Sequence, residues 1–409
     1  MDSGTKKARA QHRAAVLALL HSGVHLTRSQ IAGSLGITRS TISEVLADLQ
    51  AEGAVVVSQI QRGGGRGRPA EVLCSHPGAV RYIGVDFTHT RVLACLANST
   101  GEVIARDSTS YARGDGWEKR TKAGIDLVRA LATDDIHFGS LNSIAIGLPG
   151  PNSATWGSGL PTAVRDEPFA MVSARIRELF SNDFGVPVLV DHHVRLAALS
   201  EASVGRAEGL QNLIYLRLST GIGGAVLTSG AIATGANQLA GEMGHFTVVR
   251  GPAALRCRCD RYGCLETIAS LEALTKAWTS RNEQPGDRDD FEAAALQGEP
   301  VAVELLRNAA EQVGTVLALA VLVADPGEIV LAGEVPHLLP DFLERVQDAM
   351  WPGVLPSQKI PVRHTQLGEE AGARGGIVAL MSTQTDPPHR PEHPASPVRI
   401  ELPGGTRVS

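Results

Sequence analysis

No stretch of this sequence stays apolar for the roughly 18 to 20 residues that a helical membrane span needs. Aromatic residues make up only 4% of the chain, cysteines number five, and there are six lysines against 32 arginines. The N-terminal segment "MDSGTKKARAQHRAAVLALLHSG" places basic residues before an apolar part that is short, periodic and without a small-residue cleavage site, which argues against a secretory leader. The expectation is a cytoplasmic protein with no membrane partner. Five cysteines are also too few and too clustered for a secreted disulfide framework. Three of them, Cys257, Cys259 and Cys264, fall within eight residues, a spacing that favours metal binding. The arginine excess is read as a GC-rich coding bias rather than a functional signal.

A chain of 409 residues is too long for one ordinary core, so two or three domains are expected. The net charge of −5 conceals an asymmetry: residues 1–70 carry nine Lys/Arg against four Asp/Glu, which leaves −10 for the remainder. A basic head on an acidic body suggests that the head faces nucleic acid.

The head, residues 1–74, reads as a winged helix-turn-helix. Val16, Leu17, Leu19 and Leu20 mark a first helix over 11–22. "TRSQ" opens a second, with Thr27 and Gln30 at capping-box spacing, Ile31 and Leu35 inward, and Gly36 as the stop. Thr38 caps a third helix, in which Ile42, Val45, Leu46 and Leu49 form the buried stripe. Arg39, Ser40, Thr41 and Ser43 occupy its opposite, early face, where short hydroxyl side chains and one arginine suit the major groove. "AVVVSQI" and "AEVLCSH" read as two strands joined by "QRGGGRGRP". Its glycines permit close approach to a duplex, and Arg62, Arg66 and Arg68 suit a narrow minor groove. The competing readings are a polar three-helix cap and a basic flexible linker. Residues 75–80, "SHPGAV", form a short junction to the body.

From residue 81 strand-like and helix-like stretches alternate, as "YIGVDFT", "RVLACLAN", "VIARDSTSY", "SIAIGLPGP", "VPVLVD", "NLIYLRLSTGIGGAVLTSG" and "GEIVLAGEV" do, with helices near 119–132 and 302–323. The pattern implies an α/β body of two lobes around a cleft. Within it, "GEMGHFTVVRGPAALRCRCDRYGCLETIAS" resembles the signature of the ROK family (repressors, open reading frames and sugar kinases), over about residues 81–383. The winged head in front is similar to that of the family's transcriptional regulators of the xylose and N-acetylglucosamine repressor type. The resemblance implies an actin/hexokinase-like two-lobed fold.

The residues themselves support a zinc loop. His245, Cys257, Cys259 and Cys264 supply a closed Cys3His set suited to one structural, tetrahedral Zn2+ per chain. Arg256, Arg258 and Arg261 are expected to offset the thiolate charge. The resemblance further implies that Glu242, His245 and Glu266 line a sugar pocket, with zinc on one ring nitrogen of His245 and the other facing the ligand.

The family's kinases carry Glu/Asp-Asn-Asp-Ala-Asn where this chain has Asp191-His192-His193-Val194-Arg195. Their sugar-binding Asn falls on His192, their catalytic Asp on His193 and their second Asn on Arg195. Their phosphate loop, Asp-x-Gly-Gly-Thr-Lys, is "DFTHTR" here, so Thr88 and His89 stand where backbone N–H groups would approach a triphosphate. "STGIGGA" and "LAGEV" keep Gly221, Gly223, Gly224 and Gly333, but Ser219 and Ala332 replace expected glycines. An imidazole can act as a general base, but two independent losses point away from catalysis. The expectation is a DNA-binding regulator that senses a sugar or sugar derivative. His192, His193 and Arg195 would give its pocket a cationic lining, suited to a sugar phosphate or sugar acid, unless it no longer takes simple sugars. The rivals are a sugar kinase with a DNA-binding head and a regulator that uses its body only to dimerise. Operator half-sites about 34 Å apart require at least a homodimer, and the Pro-rich tail, 384–409, is expected to be disordered.

Overall fold

The computed structural model describes residues 25–51, 54–61 and 70–75 of the head, with positions 9, 12, 13, 15–17, 19 and 20. In the body it describes 81–112, 114–131, 141–150, 169–204, 210–283, 285–356 and 359–385. Arg62, Arg66 and Arg68, most of the 75–80 junction and the tail beyond 385 lie outside these residues.

In the head, helices Arg28–Leu35 and Arg39–Ala51 close over one core with Val16, Leu17 and Leu20. Thr27 and Gln30 form the expected capping box, and Gly36 ends the second helix at φ 64°. The strands β1 (Leu26–Thr27), β2 (Val55–Gln61) and β3 (Ala70–Ser75) form an antiparallel sheet in the order β1-β3-β2. Arg28 ties the layers together through Gln50 on the third helix (2.7 Å) and Glu71 on β3 (3.2 Å).

The body has two five-stranded sheets. The first contains β4 (Arg81–Phe87), β5 (Arg91–Ala97), β6 (Val103–Ser110), β7 (Leu141–Leu148) and β8 (Val188–His192), in the order β6-β5-β4-β7-β8. The second contains β9 (Leu213–Leu218), β10 (Ile222–Thr228), β11 (Ala231–Ile232), β12 (Glu328–Ala332) and β13 (Val362–His364), in the order β11-β10-β9-β12-β13. Each sheet is an antiparallel meander extended by parallel strands, β7 and β8 in the first and β12 and β13 in the second. Helices Trp117–Ala130 and Phe169–Phe184 cover one face of the first sheet around Phe87 and Phe180.

Two helices lie between the sheets. Ala371–Thr385 packs on β4 and β7, and His193–Val204 packs on it and on β9 and β10. Their approach is close because of glycine: a Cβ at Gly375 would overlap the Leu196 carbonyl, one at Gly84 would overlap the Ala373 carbonyl, and one at Gly372 would collide with the Asp86 carboxylate.

Helix Pro300–Ala324 departs from the sequence expectation. It is long and apolar enough by length and composition to cross a membrane. Twelve of its residues, from Ala302 to Val321, are instead buried in the core of the second lobe.

Gly375→Ala is expected to separate the two central helices and destabilise the body by about 3 kcal/mol or more. A thermal melt matching wild type would show that the helices can part without cost.

Candidate functional site

On the head, Thr38 caps the third helix as its spacing predicts, with Oγ1 3.4 Å from the Thr41 N–H. The hydroxyls of Ser40 (3.1 Å) and Thr41 (2.9 Å) also lie on Thr38, and Ser43 donates back to the Arg39 carbonyl at 2.8 Å. Ser40, Ser43 and Arg39 are exposed and Thr41 is half-buried. The helix therefore presents a compact polar turn with Arg39 as its long, charged member.

In the body, β8 ends at His192 and the next helix begins at His193, so the two imidazoles sit where the first lobe meets the central helices. Their rings are 5.2 Å apart, edge to face. His192 is buried, and burial, reinforced by the charges of His193, Arg195 and Arg258, holds its pKa well below the ordinary value. It is neutral and does not add to a cationic lining. His193, 12% exposed at its side chain, places Nδ1 3.5 Å from Asp86 Oδ1 on β4. Neither atom has a hydrogen-bond partner among the described residues. Gly147 makes room for the pair, since a Cβ there would stand 3.0 Å from both residues.

Arg195 also differs from expectation. Its buried guanidinium donates to the Gln238 carbonyl (2.6 Å) and Gln238 Oε1 (3.2 Å), and lies 3.5 Å from Asp191. It pins the 238 loop to the central helix rather than standing as a bare charge.

The loop 241–266 folds flat on β10. Met243–His245 form one 3-10 turn, Leu265 N–H donates to the Phe246 carbonyl at 2.9 Å, and Gly263 adopts φ 72° where a Cβ would overlap the Val249 carbonyl. A tight turn, Asp260 N–H to Cys257 O at 3.0 Å, then brings the cysteines together. One ring nitrogen of His245 and the Sγ atoms of Cys257, Cys259 and Cys264 all lie within 4.8 Å of one another, with His245 Nδ1 3.4 Å from Cys257 Sγ. Thiolates about 2.3 Å from a tetrahedral zinc stand about 3.8 Å apart, so the four donors lie within about an ångström of the separations a metal ion needs. Burial raises the Cys257 thiol and lifts Cys264 to about 11, whereas at Cys259 hydrogen bonds from Arg261 outweigh burial and lower the pKa.

Of the three arginines assigned to this charge, Arg261 serves it most directly, bonding Cys259 and, at 2.6 Å, the His245 carbonyl. Arg256 pairs with Asp260 at 2.7 Å. Arg258 turns the other way and grips Glu266, Nε to Oε1 at 2.6 Å and Nη2 to Oε2 at 2.9 Å, while Ile222 N–H donates to Oε2 at 3.0 Å. The sequence reading missed this role, although Cys-x-Cys carried the signal: when two flanking cysteines face a metal, the middle side chain points away. Burial lifts Glu242 to about 7, with Arg258 and Arg195 opposing it and the Glu266 charge adding to it.

The 88–91 turn, which the resemblance aligns with the kinases' phosphate loop, is closed on itself. Thr88 N–H donates to Arg91 O (2.8 Å), Arg91 N–H to Thr88 Oγ1 (3.1 Å), and Tyr111 takes both turn carbonyls. At the other nucleotide segments, Ser219 hydrogen-bonds Glu334, which Arg288 also holds at 2.9 Å. Of the two N–H groups that the resemblance sets against a triphosphate, that of Thr88 is consumed within the turn.

Two sheets on a pair of central helices, a loop carrying a Cys3His cluster and a helix-turn-helix head define the class: a sugar-kinase-like body carrying a DNA-binding module. Residues 82–383 match the ROK family model and residues 11–62 a Crp-like helix-turn-helix domain. The chain belongs to the ROK family. It is 24% identical over 352 residues to the DNA-binding transcriptional repressor Mlc of Escherichia coli, covering 83% of this chain and 85% of that one. It is 27% identical over 316 residues to a glucokinase of Halalkalibacterium halodurans, covering 72% and 93%. A crystal structure of a ROK family transcriptional regulator, a homolog of the E. coli protein, shares the fold with a TM-score of 0.62 at 20% identity, over 92% of this chain and 98% of that one.

Cys259→Ser is expected to reduce bound zinc from stoichiometric to near zero and lower the melting temperature by several degrees; metal content unchanged by elemental analysis would disprove the ligand set. A carboxyl at about 7 rather than 4.5 keeps a proton in the folded state that the unfolded chain has shed. Stability should therefore fall as pH rises through that window, by at most about 3 kcal/mol. Glu242→Gln should flatten this slope in urea titrations, and an unchanged slope would refute the assignment.

Proposed function

We propose that the chain is a DNA-binding transcriptional regulator, a repressor of carbohydrate-metabolism genes, whose ROK body senses a sugar derivative and has lost phosphoryl transfer. The observation that carries this reading is the union of a helix-turn-helix head with a cleft in which His193 replaces the catalytic carboxylate. The self-closed Thr88–Arg91 turn and the Glu334 carboxylate support it, because both work against a bound triphosphate. The relative named as a repressor aligns across head and body, with 83% of this chain covered.

On this reading Arg39, Ser40, Thr41 and Ser43 face the major groove and Arg62, Arg66 and Arg68 a minor groove. His192, His193, Arg195, Glu242, His245 and Glu266 shape the effector site, and a structural zinc rests on His245, Cys257, Cys259 and Cys264. The protein acts in the cytoplasm as a homodimer, since two half-sites require two heads. Movement between the lobes alters the spacing of the heads, which couples effector to operator.

One observation favours a second reading, a sugar kinase with a DNA-binding head: Asp86 Oδ1 beside His193 Nδ1 at 3.5 Å is the arrangement that orients an imidazole as a base. A coupled ATP-consumption assay across a hexose panel separates the two. No turnover is expected, and turnover abolished by His193→Ala would overturn the regulator. Arg66→Ala and Arg68→Ala should each weaken DNA binding across sequences and reduce the salt slope by about 1. Fluorescence anisotropy that shows no change would remove the wing from the interface.

A further inference from the structure

The carboxylate expected to receive sugar hydroxyls is already occupied. Glu266 accepts two bonds from Arg258 and one from Ile222 N–H, and Cys257 Sγ lies 3.9 Å from Oε1, so the roughly four lone-pair sites of the carboxylate are already met. The pair is layered: the Glu266 side chain is 10% exposed, whereas that of Arg258 is 49% exposed and forms the open side. Gly221 fits this layer, since a Cβ there would lie 3.0 Å from Glu266 Oε2 and 3.7 Å from Arg258 Nη2. The guanidinium charge is also felt at Glu242, His192 and His245, the other groups assigned to the cleft.

Glu266 holds Arg258 by one edge of its fork, Nε and Nη2. The other edge, Nη1 with the second Nη2 hydrogen, is the geometry that receives a carboxylate or phosphate bidentately. Two modes are conceivable for an arriving anion. Displacing Glu266 would strand a buried carboxylate, at a cost on the order of a hundredfold to a thousandfold in affinity. Adding to the unused edge strands nothing. Arg195 is committed to Gln238 and His192 is buried, so among the described residues assigned to this site Arg258 is the permanent cation with an open edge.

We infer that Arg258 is the residue that selects the effector, a pyranose bearing an oxyanion, and that Glu266 has become the positioning group that aims its second edge into the cleft. This rests on the sensor reading above and deepens it. The oxyanion is a carboxylate or a phosphate, and separate probes distinguish these.

The test is calorimetry on the full-length, zinc-loaded protein with D-glucuronate, D-glucose 6-phosphate and D-glucose. At least one anionic sugar is expected to bind tenfold or more tightly than glucose, and the preferred one names the oxyanion. Arg258→Gln should bring that ratio to within about twofold of unity, with zinc content and circular dichroism unchanged. Glu266→Gln, which keeps the shape but loosens the grip on the guanidinium, should reduce the ratio several-fold and serves if the first variant is unstable. Arg258→Lys, a charge without a fork, should recover only part of it; a merely structural arginine would leave the ratio alone. Undiminished preference in Arg258→Gln, or wild type that binds glucose as well as both anions or binds none of the three, overturns the inference. Hexose phosphorylation or failure to bind DNA overturns the regulator reading instead.

Discussion

The contact on which the molecule depends is the approach of helix Ala371–Thr385 to helix His193–Val204 and to β4. Glycines 84, 372 and 375 remove the side chains that would hold these backbones apart. Through that contact the first lobe presents His192, His193 and Asp86 at one end of a shared helical layer, and the second lobe packs β9 and β10 on its other side. A substitution that thickened the layer would shift every cleft residue relative to the loop across from it. Close packing of this kind transmits displacement because interiors are dense and deform little.

The second organising feature is the loop from Gly241 to Glu266. A metal on the Cys3His cluster would hold one side of it, and on the other side Glu266 fastens it to β10 through Ile222. The two fastenings adjoin, with Cys257 Sγ 3.9 Å from Glu266 Oε1. A loop with little apolar material thus gains rigidity from polar anchors at both faces, and its arginines divide between them: Arg261 toward sulfur, Arg258 toward carboxylate.

Much of this was legible in the chain itself. The capping box at Thr27, the stop at Gly36 and the stripe from Ile42 to Leu49 follow from helix periodicity and end chemistry, which are local. The candidate metal cluster was readable because three thiols and an imidazole at this spacing seldom gather otherwise. The partners of charged side chains were not. That Arg195 would clamp Gln238, that His192 would be buried and neutral, and that Arg258 would leave the cysteines for Glu266 depend on which way a turn faces and on residues distant in sequence. The apolar character of Pro300–Ala324 was underestimated because scattered charges at Glu304, Arg307 and Glu311 interrupt the run without breaking the buried stripe.

That helix has a consequence for biosynthesis. Its core contacts include Ile329, Leu331, Phe342, Val346, Met350, Ile360 and Val362, all translated after it. The earlier part of the same core, from Ile214 to Phe291, already covers one side of the helix, while its other side waits for these later residues. Closure of that core is therefore a late step in synthesis, complete only once the strand ending at His364 has been made.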